Sequence, residues 1–156
     1  MAHILYQSVL MFSLLVCFTA IAKGNEWFFA QEEGVQEYVV EDTLGNVLNF
    51  SCETTFDASS PDLIGERILY LYVAAQVYDS QTQTITLSTE NQSYHIGAGS
   101  IWGDGQWYAF WIATQKKEAN IVNVYVAGKK IATFTMHGAA DLYQQAPNDG
   151  CIKKIL

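Results

Sequence analysis

His137 and Asp141 are the two side chains of this sequence whose types and spacing come nearest to acid–base chemistry. They lie four residues apart at the start of a predicted short helix, where they could face each other, and a general base needs an orienting partner of this kind. The sequence has no Gly-x-Ser-x-Gly serine to act as a nucleophile. We therefore expect capping or surface packing for His137, and we predict that the protein is not an enzyme.

Metal and cofactor sites are not expected either. The stretch 97–103 is rich in glycine but lacks the strand–loop–helix context of a phosphate cradle. Early carboxylates lack the spacing of a calcium loop, and a solvated acidic edge is the favoured interpretation. These carboxylates are Glu32, Glu33, Glu37, Glu41 and Asp42.

The densest aromatic stretch, "SIWGDGQWYAFWIA" over 100–113, raises the question of a ligand platform. Its composition predicts a strand over 106–114, entered through a tight turn at 103–105. Alternation then places Trp107 and Trp111 on one face and Phe110 on the other. Because both faces are apolar, we expect a strand buried between layers, with these three rings in the core.

Five residues remain as candidate binding residues. Trp102 and Asp104 lie at the mouth of this predicted strand, where an exposed indole could contact a sugar or a lipid. The polar, turn-rich stretch 57–66 is predicted to be an exposed loop whose carboxylates could meet a basic cleft. Its candidate residues are Asp57, Asp62 and Glu66.

The elements that must position these residues are mostly strands. Period-two alternation with few prolines predicts seven to nine short strands, one short C-terminal helix, and hence an all-β antiparallel sandwich or barrel. Leu48, Phe50 and Cys52 should share one face of their strand, and 68–78 is predicted to be one central strand covered on both sides. The predicted strands are 27–30, 35–41, 44–54, 68–78, 84–89, 94–96, 106–114 and a hairpin over 121–136 turning at 127–129; the helix is 139–146.

Residues 1–22 have the character of a cleaved export signal. An apolar run ends in Ala20-Ile21-Ala22, which a signal peptidase accepts, so cleavage after Ala22 would leave one domain over 23–156. Lipid attachment at Cys17 is a less favoured alternative. Two cysteines then remain, Cys52 and Cys151, and an even pair in an oxidising compartment predicts one disulfide. We expect the protein to be periplasmic or secreted, with no transmembrane helix in the mature chain.

The charge balance narrows the choice of partner. The formal net charge is −8, and residues 23–115 carry 13 acidic but only two basic side chains. Nucleic acid is excluded as a partner because its phosphates need Lys and Arg to displace counterions. Solubility is the favoured reason for this acidity, ahead of an acidic docking face.

The segment "WYAFWIATQKKEANIVNVYVAGKKIATFTMHGAADLYQQAPNDGC" covers about a third of the chain. Its final strand carries Phe134, and Gly138, Ala139 and Ala140 lead into the predicted helix. This layout resembles small exported bacterial β-sandwich proteins of the invasion-associated locus B kind and accessory proteins encoded with type VI secretion systems. The resemblance implies a periplasmic accessory or host-interaction protein with no catalytic residues.

Three functions therefore stand as hypotheses. The first is an exported binding or accessory protein that acts through contact with another protein at the cell envelope or outside the cell. The second is an immunity or inhibitor protein that blocks a toxin or hydrolase. The third is a carbohydrate- or lipid-binding module.

Overall fold

The structure, a computed structural model, describes residues 24–54, 64–97, 101–116, 120–148 and 150–154. Within these ranges, nine strands form two antiparallel sheets accompanied by two helices, which confirms the all-β prediction. The predicted signal peptide, Asp57 and Asp62 lie outside the described residues. The elements are β1 Phe28–Glu32, β2 Val35–Glu41, β3 Val47–Thr54, β4 Ile64–Val73, β5 Gln76–Asp79, β6 Ile85–Ser88, β7 Ser93–Ile96, α1 Ile101–Ala113, β8 Ile121–Val126, β9 Lys129–Thr135 and α2 Ala139–Gln145.

The first sheet is a five-stranded meander in the order β1-β2-β3-β4-β5. Its inner face carries Leu48, Phe50 and Cys52, which share one face as their alternation predicts and have no exposed surface. The first hairpin turns through Glu33 and Gly34, whose φ angles of 47° and 83° are those of a type I′ turn. This turn matches the right-handed twist of the strands it joins.

The prediction of one central strand over 68–78 is wrong. The chain reverses at Ala74, where φ is 52°, and returns as β5 beside β4. Leu69 and Leu71 are fully buried, whereas Tyr72 on the opposite face is 37% exposed, so β4 is not fully buried on both faces. Tyrosine and alanine are compatible with strand, turn and surface alike, and this hid the reversal from the alternation pattern.

The second sheet has the order β7-β6-β8-β9. The predicted hairpin over 121–136 is confirmed, with Ala127 and Gly128 as its two turn residues. The predicted C-terminal helix is also confirmed as α2, which ends before Pro147. Its N-cap is Gly138, with φ at 84°.

The predicted strand over 106–114 is wrong, because this stretch forms the helix α1. Trp107, Phe110 and Trp111 are at most 2% exposed and share one helical face at i, i+3 and i+4 spacing, while Ile112 on the opposite side is 48% exposed. The core role predicted for the three rings is confirmed, but their assignment to two strand faces is not. Strand propensity gave way to tertiary packing, because one helical face collects all three rings.

Helix α1 joins the two sheets through this aromatic face. The Phe110 ring stacks on Phe50 of the five-stranded sheet with centroids 5.2 Å apart, and meets Tyr94 of the four-stranded sheet edge-on at 5.7 Å. Trp107 Nε1 donates a buried hydrogen bond of 2.8 Å to the Cys151 carbonyl oxygen. The predicted Cys52–Cys151 disulfide is present and fastens the C-terminal segment to β3 beneath this helix.

Candidate docking surface

The candidate docking surface is the outer face of the five-stranded sheet, which is the side turned away from the core. Strand alternation places Ile68, Tyr70 and Tyr72 of β4 on this outer face, opposite in parity to the buried Leu69 and Leu71. The Tyr70 and Tyr72 rings lie 6.0 Å apart, and Val77 of β5 is 56% exposed beside Tyr72. Neither α1 nor α2 has the length and apolar character needed to cross a membrane.

Four carboxylates, one each from β2, β3, β4 and β5, act electrostatically on Tyr70. Burial is the largest cause that raises the pKa of the Tyr70 phenol, and Asp79, Glu66, Glu37 and Glu53 each raise it further by charge repulsion. The strand register accounts for the contribution of Asp79, since Tyr70 pairs directly with Asp79 across the β4–β5 hairpin. The outer face therefore carries a negative potential centred on an aromatic ring.

Glu37 is held in place by a second polar residue of the outer face. Asn49 Nδ2 donates a hydrogen bond of 2.7 Å to Glu37 Oε1, and Asn49 itself is only 7% exposed. Asn49 pairs with Tyr70 across the β3–β4 ladder. A carboxylate that accepts a hydrogen bond from a buried amide has a restricted orientation, so Glu37 is a preorganised part of this surface.

Positive charge is directed away from the outer face. Arg67 is the one lysine or arginine in the sequence between residues 28 and 79. Its position in the β3–β4 register, opposite Cys52, places it on the inner side. There Arg67 Nη2 donates a 2.6 Å hydrogen bond to the Tyr108 hydroxyl of α1, and the guanidinium lies 5.0 Å from the centre of that ring. Arg67 therefore does not share the outer face with the four carboxylates.

One of the five predicted binding residues joins this surface. Glu66 is exposed on β4, where its Oε1 accepts a hydrogen bond from Gln81 Nε2. It therefore belongs to a strand and not to the predicted loop over 57–66, since β4 already begins at Ile64. Trp102 and Asp104 lie in the first turn of α1, so the predicted tight turn at 103–105 is also wrong. The side chains of Trp102 and Asp104 lie outside what the structure describes, and their binding role stays a prediction.

His137 and Asp141, the two residues considered for acid–base chemistry, lie just before α2 and in its first turn. His137 is 73% exposed in its side chain, and its Nδ1 lies 3.9 Å from Glu26 Oε1. In the described ranges, no three His, Cys, Asp or Glu side chains converge closely enough to hold a metal ion.

Sequence reasoning missed Glu53, Asp79, Tyr70 and Tyr72 as members of one surface, and weighed Glu37 only as part of an acidic edge. A usable signal was present in β4, where the tyrosines occupy the parity opposite to Leu69 and Leu71. If the turn at Ala74 had been recognised, the pattern would have identified that face and predicted that Asp79 lies beside Tyr70. The pairing of distant strands, which joins the other carboxylates, leaves no local signal in the sequence.

Comparison with known proteins identifies the family. The sequence profile of the YfjT family matches residues 25–143, which run from just before β1 into α2 and include all four carboxylates around Tyr70. The chain belongs to the YfjT family.

A relative of this YfjT-family chain is the "Uncharacterized protein YkfB" of Escherichia coli (strain K12). The two are 30% identical over 130 residues, which cover 78% of this chain and 79% of the relative. No solved structure matches the chain. The resemblance of the C-terminal third to the invasion-associated locus B and type VI accessory proteins stays a prediction beside this YfjT assignment.

Proposed function

We propose that the protein is an exported, non-catalytic binding protein that uses the outer face of its five-stranded sheet to contact a basic surface of another protein. The observation that carries this proposal is the set of four carboxylates on four strands around Tyr70. The partner lies at the cell envelope or outside the cell.

The composition of the outer face supports protein contact over solubility alone. A solvated acidic surface needs no exposed aromatic or aliphatic groups, yet Tyr72 and Val77 stand exposed beside the carboxylates. Tyrosine supplies a large, rigid contact area at low entropic cost, and surrounding charges steer a complementary partner. Opposite charge speeds association most at low ionic strength.

Site-specific crosslinking tests this proposal in the cell. A photoreactive amino acid replaces Val77 on the outer face or, as a control, Ile121 of β8, which is 41% exposed on the other sheet. We expect one specific adduct from position 77 only. An adduct formed from position 121 and absent from position 77 would place the contact on the wrong sheet.

The purified partner is then tested by stopped-flow association. Glu53→Lys and Glu66→Lys should each slow association at least about tenfold at low salt, and the association rate of the wild type should fall as salt rises. Glu90→Lys, an exposed charge change in the β6–β7 connection, is the matched control and should have little effect. If all three variants slowed association equally, the effect would come from the net charge of the protein and not from the outer face, and the proposal would be refuted.

The same acidic surface supports a second function, that of an immunity or inhibitor protein. An acidic, preorganised face can cover a basic active-site cleft of a toxin or hydrolase. Under this hypothesis, the crosslinked partner is an enzyme, and an equimolar amount of the protein abolishes its activity. A partner that stays fully active in the saturated complex would eliminate this second function.

Export is a separate part of the proposal. The Cys52–Cys151 disulfide supports it, because disulfides persist mainly in oxidising compartments. We expect protein purified from cells to begin at Lys23, which intact-mass measurement detects directly. A full-length mass that retains Met1, in protein recovered from the cytoplasm, would contradict cleavage after Ala22.

A further inference from the structure

Strand β1 is the outermost strand of the five-stranded sheet, and its backbone polarity follows from the turn that ends it. In a two-residue hairpin the residues flanking the turn form a hydrogen-bonded pair, here Glu32 and Val35. The same is then true of Ala30 and Phe28, whose N–H and C=O groups point to β2. The N–H and C=O groups of Phe29 and Gln31 must therefore point outward.

A hydrogen bond at the start of β1 supports this assignment. The Trp27 N–H donates to the His137 carbonyl oxygen at 3.0 Å, on the side facing away from β2. Trp27 has the parity of Phe29 and Gln31, so the outward row begins there. Within the described residues, no further backbone hydrogen bond continues this row beyond Trp27. Chain from the C-terminal region thus pairs with the first position of this edge and leaves the next two open.

An uncharged cleft adjoins the open part of the edge. Its volume is about 250 Å³, below the 300–1,000 Å³ typical of small-molecule sites and large enough for aliphatic side chains. Phe29, 44% exposed, forms part of its wall. The residues that line it, from β1, β2 and the end of α2, are Phe29, Gln31, Gln36, Tyr38, Leu142, Gln145, Ala146 and Pro147.

We propose that β1 receives an extended segment of a partner protein, which pairs with Phe29 and Gln31 and places an aliphatic side chain in the cleft. Exposed strand edges are templates for pairing of this kind, in which backbone hydrogen bonds give affinity and alternate side-chain pockets give specificity. This inference goes beyond the acidic outer face and stands without it.

The charges around the edge define the chemistry of the segment. Residues of an added strand alternate between the cleft and the outer face. The cleft lining carries no charged side chain, whereas Glu32 stands exposed on the outer side of β1. A segment that alternates aliphatic with basic residues therefore complements both sides of this edge.

The probe is the peptide acetyl-Lys-Val-Lys-Leu-Lys-Val-Lys-amide labelled with a fluorophore. A control peptide has the same sequence with N-methyl groups on alternate backbone amides, which keeps its charge but removes its pairing groups. Fluorescence anisotropy should show at least tenfold weaker binding of the N-methylated peptide. Equal affinity of the two peptides, or no binding of the first at millimolar concentration, overturns the proposal.

Two variants of one residue locate the binding. Gln31→Pro removes an outward N–H and is compatible with an edge strand, whereas Gln31→Ala removes the same side chain but keeps the N–H. We expect Gln31→Pro to weaken peptide binding at least tenfold and Gln31→Ala to weaken it less than threefold. Circular dichroism must show the same fold for both; if Gln31→Pro does not fold, amide exchange provides the readout instead. Peptide binding should then protect the Phe29 and Gln31 amides from exchange in the wild type, and unchanged exchange would overturn the proposal.

The test also separates this edge from the acidic outer face. If Glu53→Lys lost peptide binding while Gln31→Pro kept it, the peptide would bind the outer face and not β1, and the inference would be overturned. Failure of the crosslink at position 77, with peptide pairing intact, would instead overturn only the proposed function. A dimer of the free protein that Gln31→Pro dissolves would assign the edge to a second copy of the chain and contradict the foreign segment.

Discussion

Truncation of Phe110 and of Ile112 tests the helical arrangement of the aromatic stretch. In a strand, residues 110 and 112 would share one face and cost similar stability when truncated. In helix α1 they lie apart, and Phe110 has no exposed surface whereas Ile112 is 48% exposed. Phe110→Ala and Ile112→Ala should therefore have very different effects on the free energy of unfolding.

The magnitudes follow from burial. Phe110 loses its stacking on Phe50 and its edge contact with Tyr94, and a fully buried Phe→Ala change costs about 3–5 kcal/mol. Ile112→Ala removes a half-exposed side chain and gains helix propensity, for a net cost of about 1 kcal/mol or less. The expected difference between the variants is thus at least about 2 kcal/mol.

Urea unfolding of the oxidised proteins, followed by tryptophan fluorescence and far-ultraviolet circular dichroism, measures this difference. With an m value of about 2 kcal/mol/M, Phe110→Ala should lower the midpoint by roughly 2 M and Ile112→Ala by about 0.5 M or less. Phe110→Leu, at about 1–2 kcal/mol, replaces the alanine variant if that variant does not fold. Equal losses at positions 110 and 112 would refute the helical arrangement.

Three further predictions concern stability. Cys52→Ser and Cys151→Ser should lower the free energy of unfolding about equally, by up to roughly 4.7 kcal/mol. The native wild-type protein should not react with an alkylating reagent, and a labelled cysteine would contradict the disulfide. Gly138→Ala should lower the free energy of unfolding, measured in thermal melts, by about 2 kcal/mol. The cause is the φ angle of 84° at Gly138, together with a Cβ that would lie 3.2 Å from the Trp27 carbonyl oxygen. Gly24→Ala is the control, because a Cβ at Gly24 meets nothing within 4 Å. Burial raises the pKa of Tyr38 from 10.0 to about 12. Its contribution to the free energy of unfolding is therefore complete below pH 10, and about 2–3 kcal/mol is lost as pH rises to 12. A Tyr38→Phe variant that loses the same stability over this pH range would contradict this cause.

Local patterns predicted much of the strand framework. The β8–β9 hairpin is confirmed because its valines alternate strictly and Ala127-Gly128 suits a tight turn. Helix α2 is confirmed because Ala139 to Gln145 has no β-branched residue and Pro147 follows it. The disulfide is confirmed because two cysteines remain after the predicted signal. Each of these features depends on neighbouring residues or on simple counting.

The candidate surface depended on strand pairing. Glu66 was singled out as a loop residue, but it lies on β4, the strand of Tyr70. The pairing of β3 and β5 with β4 then adds Glu53 and Asp79 to the same face. Alternation assigns a residue to one side of its own strand, but it does not say which strands are neighbours. The sequence showed that Leu69 and Leu71 share an apolar face of their strand. It did not show that the opposite face is exposed to solvent.

By itself, the sequence determined the all-β class, the hairpin over 121–136 with its strong turn signal, and the cysteines that pair. Tertiary structure decided that the stretch around Trp107 and Trp111 is helical, because the aromatic side chains of both sheets offer one surface that a single helical face can cover. It also decided that dispersed carboxylates form one outer face. In both cases the deciding energy comes from contacts between residues distant in sequence, which no local pattern encodes.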